Sequence, residues 1–376
     1  MNLWQFAIKT LLADRGKLIT ALVGVAFCVI LVNIQGGLFL GLIRKATMLV
    51  DQGAADIWIG HKTMHCVDLS MEIPRDWVHR LRSVPGVQSA DPYLAGYAGM
   101  TLPDGSFEGV AVIGVERQEL IGASWQYDSG GPGDLRLTDG IVVDVCEDLK
   151  LQSPQVGELR EVGGRRARIV AKTRGVTNFL IAPYVFTTFE RAGRILGRPP
   201  SMCSYLLVRV EPGADPREVC RRIRGRVPQL DAFTREEFSR VSANFWLTRT
   251  GMGISFGLAT LLGLGVGLVT VAQTLNALVL DRFEEYGTLR SIGASDGQLA
   301  ALLLAQSSAI GLMGCVLGLA LVAAITVTCT TPIAPIEVPA WLSLGSCALL
   351  LSICVLTSLV PYLRLRRLAA GSALSL

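Results

Sequence analysis

The chain has 376 residues, of which 51% are hydrophobic and only 18% charged, with a formal net charge of +4. That is too apolar for an ordinary soluble domain of this length, and the small charge excess is no nucleic-acid footprint. Four stretches contain no Asp, Glu, Lys, Arg or His: Leu18–Ile43, Gly251–Leu280, Gly297–Ile336 and Val338–Leu363. Each exceeds the roughly 20 residues that a membrane-spanning helix needs.

In chain order, Leu3, Ala7 and Leu11 form one row at helical spacing, and Trp4, Ile8 and Leu12 form the next. This stripe predicts a cytoplasmic amphipathic helix over residues 1–17, lying at the interface with Trp4 as anchor. A plain extension of the first span is the alternative. Span one covers residues 18–43, and its apolar length exceeds the roughly 7–15 residues of a cleavable signal peptide's core. It is therefore expected to remain as an anchor.

Residues 44–250 alternate strand-like and helix-like pieces, as an α+β domain does. Ala55–Gly60 reads as a strand and Pro74–Ser83 as a helix, closed by the turn Val84-Pro85-Gly86-Val87. Hairpins are predicted at Pro103-Asp104-Gly105 and at Gly163-Gly164. A helix is expected near Tyr184–Leu196, a strand at Ser204–Val210, and a helix from Asp215 to about Arg226. This order gives two βαβ-like lobes around a strand-rich insertion. Thr234 and Glu237 form a capping-box pair that starts a helix running toward span two. No low-complexity linker separates it from that span, so a stiff connection is expected.

Span two covers 251–280, span three 297–328 and span four 340–363, with 329–339 as an outer loop carrying Pro332, Pro335 and Pro339. Orientation follows from short basic segments, which resist translocation. Lys9, Arg15 and Lys17 precede span one, Arg282 and Arg290 separate spans two and three, and Arg364, Arg366 and Arg367 follow span four. All three segments are expected on the cytoplasmic side, including the tail 364–376, which places 44–250 outside. The fold class is an integral-membrane α-helical bundle of four spans with a large extracytoplasmic α+β domain inserted between spans one and two.

The spans carry no ionisable side chain apart from cysteine, which argues against ion-coupled transport and against an intramembrane hydrolase. No G-x-x-x-x-G-K-[ST] phosphate loop occurs in the 376 residues. Small residues are spaced for close helix approach at Gly37 and Gly41, Gly253 and Gly257, Gly263 and Gly267, and Gly314 and Gly318. These pairs favour a packed bundle with a dimer contact.

Several other clusters carry no assigned chemistry. His61, His65 and Cys66 have ligand-like spacing but no clear fourth ligand, so no metal is assigned. Arg221, Arg222, Arg224 and Arg226 read as a solvated helix face, and Asp144, Glu147 and Asp148 as a helix start with a solvated first turn. The spacing of Cys66, Cys146, Cys203 and Cys220 leaves any disulfide pairing open. No catalytic residue is assigned.

The segment 281–296 between spans two and three is different. Phe283, Tyr286, Leu289 and Ile292 make a narrow apolar row beside Glu284, Glu285 and Arg290, and Gly293 is placed to end the helix. Ser295 with Gln298 forms a capping box that starts span three. This describes a short surface helix suited to docking a partner, where a simple reversal of the chain would need only a turn.

Glu285–Ser295, EYGTLRSIGAS, resembles the signature of the FtsX/MacB family of ABC transporter permeases, and Val84–Val87 resembles a turn of their MacB-type periplasmic domains. Gln306 stands where family members commonly carry Glu. The resemblance implies a permease subunit of the bacterial inner membrane with both termini cytoplasmic. It implies a permease pair, a homodimer for this chain, docked on an ABC ATP-binding protein dimer that holds ATP and Mg, with no cofactor on this chain. Phe283, Glu284, Glu285, Tyr286, Leu289, Arg290, Ile292 and Gly293 would form the coupling helix. Because the sequence starts at Met1 directly with the amphipathic helix, the ATPase is expected on a separate chain. The family also implies mechanotransmission that drives export or extraction of a lipid, peptide or small molecule, with a membrane-fusion adaptor, an outer-membrane channel and membrane lipids as further partners. A lipoprotein-releasing LolC/LolE-type permease and an FtsX-type scaffold that activates cell-wall hydrolases are the alternatives. A tethered extracytoplasmic enzyme is the remaining class, without a catalytic pattern to support it.

Overall fold

The computed structural model describes residues 15–180, 182–281, 288 and 295–357. They fall into two units. One comprises residues up to Gly41, Ile254–Thr331 and the residues from Pro335 on; the other comprises Leu42–Gly253 together with Pro332–Ala334.

The second unit is built on β1 (Ile57–His61), β2 (Ile73–Pro74), α2 (Trp77–Arg82), β3 (Val87–Thr101), β4 (Phe107–Val115), β5 (Tyr127–Ser129) and β6 (Gly140–Asp144). It continues through α3 (Asp148–Leu151), β7 (Leu159–Val162), β8 (Arg165–Thr173), β9 (Tyr184–Thr188), α4 (Phe189–Leu196) and β10 (Met202–Cys203). The last elements are β11 (Tyr205–Val210), α5 (Pro216–Arg226), β12 (Leu230–Thr234) and α6 (Arg235–Thr248). The helix α1 (Arg15–Gln52) precedes them all.

Strands β12-β1-β11-β3 lie side by side, all neighbours antiparallel. With α2 joining β1 to β3 and α5 joining β11 to β12, this is the split βαβ arrangement, two βαβ units interleaved in one sheet. The alternation of IWIGH explains its two faces. Ile57 and Ile59 face the α2 and α5 side with Leu81, Leu206, Val208, Val219 and Ile223, whereas Trp58 faces the opposite core. There Trp58 meets Tyr93, Tyr205 and Phe238 of α6 with ring centroids 5.4, 5.6 and 5.6 Å away.

The long strand β3 leaves this sheet and pairs with β4 over Tyr93–Thr101. The ladder then runs β4-β9-β6-β8-β5. Strand β7 pairs with both the end of β3 and β8, which closes β3-β4-β9-β6-β8-β7 into a barrel. The strand-rich insertion is thus a barrel grown from one strand of the split βαβ lobe.

Local chemistry accounts for the turns. Gly163 and Gly164 both sit at positive φ, 56° and 70°, as a two-residue hairpin requires. The Val84–Val87 turn has Gly86 at φ 91°, and a Cβ there would come 2.9 Å from Val219. Asp215 caps α5 by accepting from the Arg217 N–H, and Thr234 with Glu237 forms the expected capping box of α6.

Two expectations are corrected. Tyr184–Leu196 is a strand followed by a helix: YVFTT pairs in parallel with Ala111–Val115 before α4 begins at Phe189. Its β-branched and aromatic residues suit a buried strand. The helix after Thr234 does not continue into the next apolar run: α6 ends at Thr248, Gly251 lies at φ 73°, and α7 (Met252–Asp281) begins afresh.

The first unit holds the start of α1, most of α7, α8 (Asp296–Cys329) and α9 (Ala340–Thr357). Ser295 and Gln298 make the capping box at the start of α8. Leu18–Gln52 and Gly297–Cys329 are each long and apolar enough to cross a bilayer, and Ala340–Leu356 is a shorter apolar helix. Val25 and Val29 of α1 pack with Ile310 and Cys315 of α8 and Leu350 and Cys354 of α9. Ile254, Leu261, Val266, Leu312, Val316 and Leu344 are exposed, a distribution suited to lipid.

Candidate functional site

The expected coupling residues Phe283, Glu284, Glu285, Tyr286, Leu289, Arg290, Ile292 and Gly293 lie outside the described residues, as do residues 1–14 of the amphipathic helix.

The glycine pairs fall in different surroundings. A Cβ on Gly314 would come 2.6 Å from Val25 Cβ, and one on Gly318 2.6 Å from Val29 Cβ, so the two glycines of α8 let it lie directly on the valines of α1. A Cβ on Gly263 would collide with Leu31. Gly37 faces Val338 and Glu337, and Gly41 faces Pro335, so this pair packs against the chain preceding α9. Gly253 meets only Leu247, just before its own helix, and Gly257 has open space. Gly267 is helical.

One polar contact inside the first unit was missed because Asn33 is uncharged. Its Nδ2 donates to Ser346 Oγ at 2.8 Å, and Ser343 Oγ donates to its Oδ1 at 3.1 Å, tying α1 to α9. Such hydrogen bonds are worth about 1 kcal/mol between membrane helices.

In the second unit, a network gathers where α1 ends. Asp144 is buried, not solvated as the sequence suggested. Its carboxylate accepts from Cys146 N at 2.8 Å, Gly175 N at 3.1 Å, Val176 N at 2.7 Å and Thr173 Oγ1 at 2.8 Å. Four donors satisfy the charge that burial would otherwise make costly. Glu147 is also buried and pairs with Lys150 at 2.8 Å, while Asp148 pairs with Lys172 at 2.9 Å. Asp144 thereby fixes the loop after β8, and Thr177 of that loop donates to the Pro332 carbonyl at 3.1 Å.

Lys45 completes this bracket. It is buried, and its Nζ donates to the Ile333 carbonyl at 2.9 Å. The tripeptide Pro332–Ala334 is in this way part of the α+β unit, although α8 and α9 flank it in sequence.

Beside it lies a tyrosine-rich pocket around Asp68. Its Oδ2 is shielded from solvent without a hydrogen-bond partner, as are Tyr93 Oη and Asn178 Nδ2. Burial raises the Asp68 carboxyl to about 7, the Trp246 indole offsetting part of the rise. Tyr97 is raised to about 12 by burial and by Asp68.

The remaining sequence candidates separate. His61 Nδ1 bonds Thr63 at 2.8 Å, while His65 stacks on Phe245 and Cys66 is buried. Among the described residues no three His, Cys, Asp or Glu side chains gather as a metal site. Arg221 and Arg222 pair with Glu218 and Arg224 with Asp231. Cys66, Cys146, Cys203 and Cys220 are free thiols, Cys203 and Cys220 raised to about 12 by burial.

Apolar helices of spanning length joined in one chain to an α+β unit are the features of a membrane protein. Residues 257–370 match the family described as FtsX-like permease C-terminal. The chain is 23% identical over 174 residues to the uncharacterized ABC transporter permease MJ1507 of Methanocaldococcus jannaschii, a match covering 44% of this chain and 42% of that relative. Residues 257–370 thus carry an FtsX-like permease domain. Among solved structures, the periplasmic region of MacB from Actinobacillus actinomycetemcomitans aligns at TM-score 0.40 and 10% identity, covering 51% of this chain and 94% of that one. The extracellular domain of the noncanonic ABC-type transporter YknZ from Gram-positive bacteria aligns at TM-score 0.35 and 9% identity, over 48% and 98%.

Proposed function

We propose that the chain is the membrane subunit of an ABC transporter, crossing the membrane four times, with residues 44–250 outside and an ATP-binding subunit docked on the segment 282–293. The observation that carries this is the FtsX-like match over residues 257–370, which contains that segment. The amphipathic pattern of Phe283, Tyr286, Leu289 and Ile292 beside Glu285 and Arg290 supplies an apolar row and charges for a partner's surface. The 376 residues hold no phosphate loop, so ATP and Mg are assigned to the partner.

Force reaches the outside by two routes in this reading. One is the 38-residue helix α1, whose last turns belong to the α+β unit. The other is the loop Pro332–Ala334, held by Lys45 and Thr177. Movement of the spans would pull on the split βαβ lobe and barrel, and cargo is handled outside the membrane. A second permease copy completes the assembly.

The test is to reverse charge at Glu285 and Arg290, singly and together, and to measure stimulated ATPase rate and co-purification with the cognate ATP-binding protein. Loss of coupling by tenfold or more, with the permease still folded, is expected. Unchanged coupling in every variant would sink the docking assignment.

A further inference from the structure

The barrel of the α+β unit carries a cavity of about 270 Å³, lined by Arg117, Arg136, Arg165, Arg166, Arg191 and Arg194. Only Glu116, Asp139 and Glu190 line it among the carboxylates. Two of those three are already engaged: Glu116 with Arg75 at 3.3 Å and Asp139 with Arg191 at 3.2 Å. The arginines come from distant parts of the chain: the end of β4, the stretch before β6, the start of β8 just past the Gly163-Gly164 hairpin, and α4. Pairing of β4, β9, β6 and β8 brings these segments to one place, which no local charge run in the sequence announces.

Most of these side chains are held in position by backbone carbonyls, which fixes geometry without neutralising charge. Arg136 donates to the carbonyls of Arg117 at 3.1 Å and Gln118 at 2.8 Å, and Arg117 donates to the carbonyl of Arg136 at 2.5 Å. Arg191 donates to the carbonyls of Thr138 at 2.9 Å and Arg166 at 2.6 Å. Its side chain is only 12% exposed, and its Nε is buried without a partner. Arg165 and Arg166 are exposed at the rim and have no carboxylate partner among the described residues. Thr188, the N-cap of α4, also lines the cavity and makes no side-chain cap bond, so its hydroxyl does not satisfy the first N–H groups of that helix. The fork of a guanidinium matches phosphate bidentately, and uncapped helix N–H groups add to the same preference.

We infer that this cavity binds a phosphate-bearing organic anion. Its volume is near the lower end of small-ligand pockets, about 300 Å³, and exceeds what an inorganic phosphate needs, so a group of headgroup size is the fit. The same chemistry is offered by a phospholipid headgroup and by a soluble organophosphate. The site stands on the arginine geometry of the α+β unit and does not depend on which ATPase drives the permease.

The experiment uses the full chain in a maltoside detergent, which carries no phosphate, and titrates it calorimetrically with sodium phosphate, glycerol 3-phosphate and monomeric dioctanoyl phosphatidylglycerol. Saturable binding of at least one organic phosphate is expected, tighter than inorganic phosphate. R165Q/R166Q should weaken it by about tenfold or more, since each charge-assisted hydrogen bond is substantial. R194Q tests the same wall independently of the hairpin, and R221Q/R222Q removes equal charge from the unrelated face of α5 and should leave binding unchanged. Binding of the lipid alone assigns a headgroup, and binding of both organic phosphates assigns recognition of the phosphate itself. No saturable binding to any probe, or equal losses in R165Q/R166Q and R221Q/R222Q, would overturn the site.

Discussion

Lys45 Nζ donates to the Ile333 carbonyl at 2.9 Å, joining the last third of α1 to a loop 288 residues further along the chain. A buried lysine on an apolar helix is costly unless its ammonium finds oxygen, and here the acceptor is a backbone carbonyl beside Pro332, whose own carbonyl receives Thr177. The α+β unit thus grips one tripeptide from two sides.

Removing either hand should loosen that tripeptide while leaving the sheet intact. Lys45→Met keeps the length and apolar stem of the side chain, and Thr177→Val keeps its shape. Each removes one hydrogen bond, worth roughly 1–3 kcal/mol, or about tenfold in local opening. Amide exchange at Ile333 and Ala334 is expected to rise about tenfold in each variant, with unchanged exchange in β4 and β11. Unaltered protection at Ile333 and Ala334 would show that the loop is held by other contacts.

Asp144 should matter far more than its surface-like sequence suggests. Asp144→Ala leaves Gly175 N, Val176 N and Cys146 N without their acceptor, and unsatisfied buried donors cost about 1–3 kcal/mol each. The α+β unit is expected to melt well below wild type and to become protease-sensitive around Arg174–Thr177. Asp144→Asn, which retains one acceptor oxygen, should lose less. Equal melting of Asp144→Ala and wild type would refute the role.

Asp68 gives a pH-dependent prediction with a definite sign. Its folded pKa is raised to about 7 by burial, the Trp246 indole offsetting part of the rise, and Tyr93, Tyr97, Tyr184, Tyr205 and Cys66 lie within reach of its charge. A group raised on folding contributes stability that is fully present below its unfolded value near 4 and is lost as pH rises through 7. Asp68→Asn, permanently neutral, should therefore melt several degrees above wild type at pH 8, roughly 5 °C for a unit of this size. The gap should narrow as pH falls and close only below about pH 4. A melting gap that is the same at pH 5 and pH 8 would remove Asp68 from the account.

The parts of this molecule that were legible in the sequence are those governed by local rules. Hydrophobic run length gave the apolar helices, Ser295/Gln298 and Thr234/Glu237 gave helix starts, and Gly163-Gly164 gave a hairpin. The barrel was not legible, because closure depends on β7 pairing with β3, some 60 residues away. For the same reason Asp144 read as a surface acid: its donors at 173–176 become neighbours only once β6 pairs with β8. The arginine cavity had no sequence signal either, since its six members lie in four separated segments. Asn33 was passed over because a search for intramembrane charge does not register an amide, yet it makes the side-chain bonds from α1 to α9.

The glycines of the helical unit make separable predictions because their surroundings differ. Gly314 and Gly318 let α8 lie against Val25 and Val29, and even one added Cβ would sit 2.6 Å from a valine Cβ. Gly314→Leu should overpack that crossing by about 1–3 kcal/mol and lower the melting temperature of the detergent-solubilised chain. Gly257→Ala meets nothing within 4 Å of its own chain, so for an isolated copy it should be neutral or raise helix stability by up to about 1 kcal/mol. If two copies of the chain associate through this face of α7, Gly257→Leu will instead shift them toward monomer in cross-linking and sedimentation while the monomer's melting is unchanged. A Gly257→Leu chain that assembles as wild type does would exclude this face of α7 as a contact between copies.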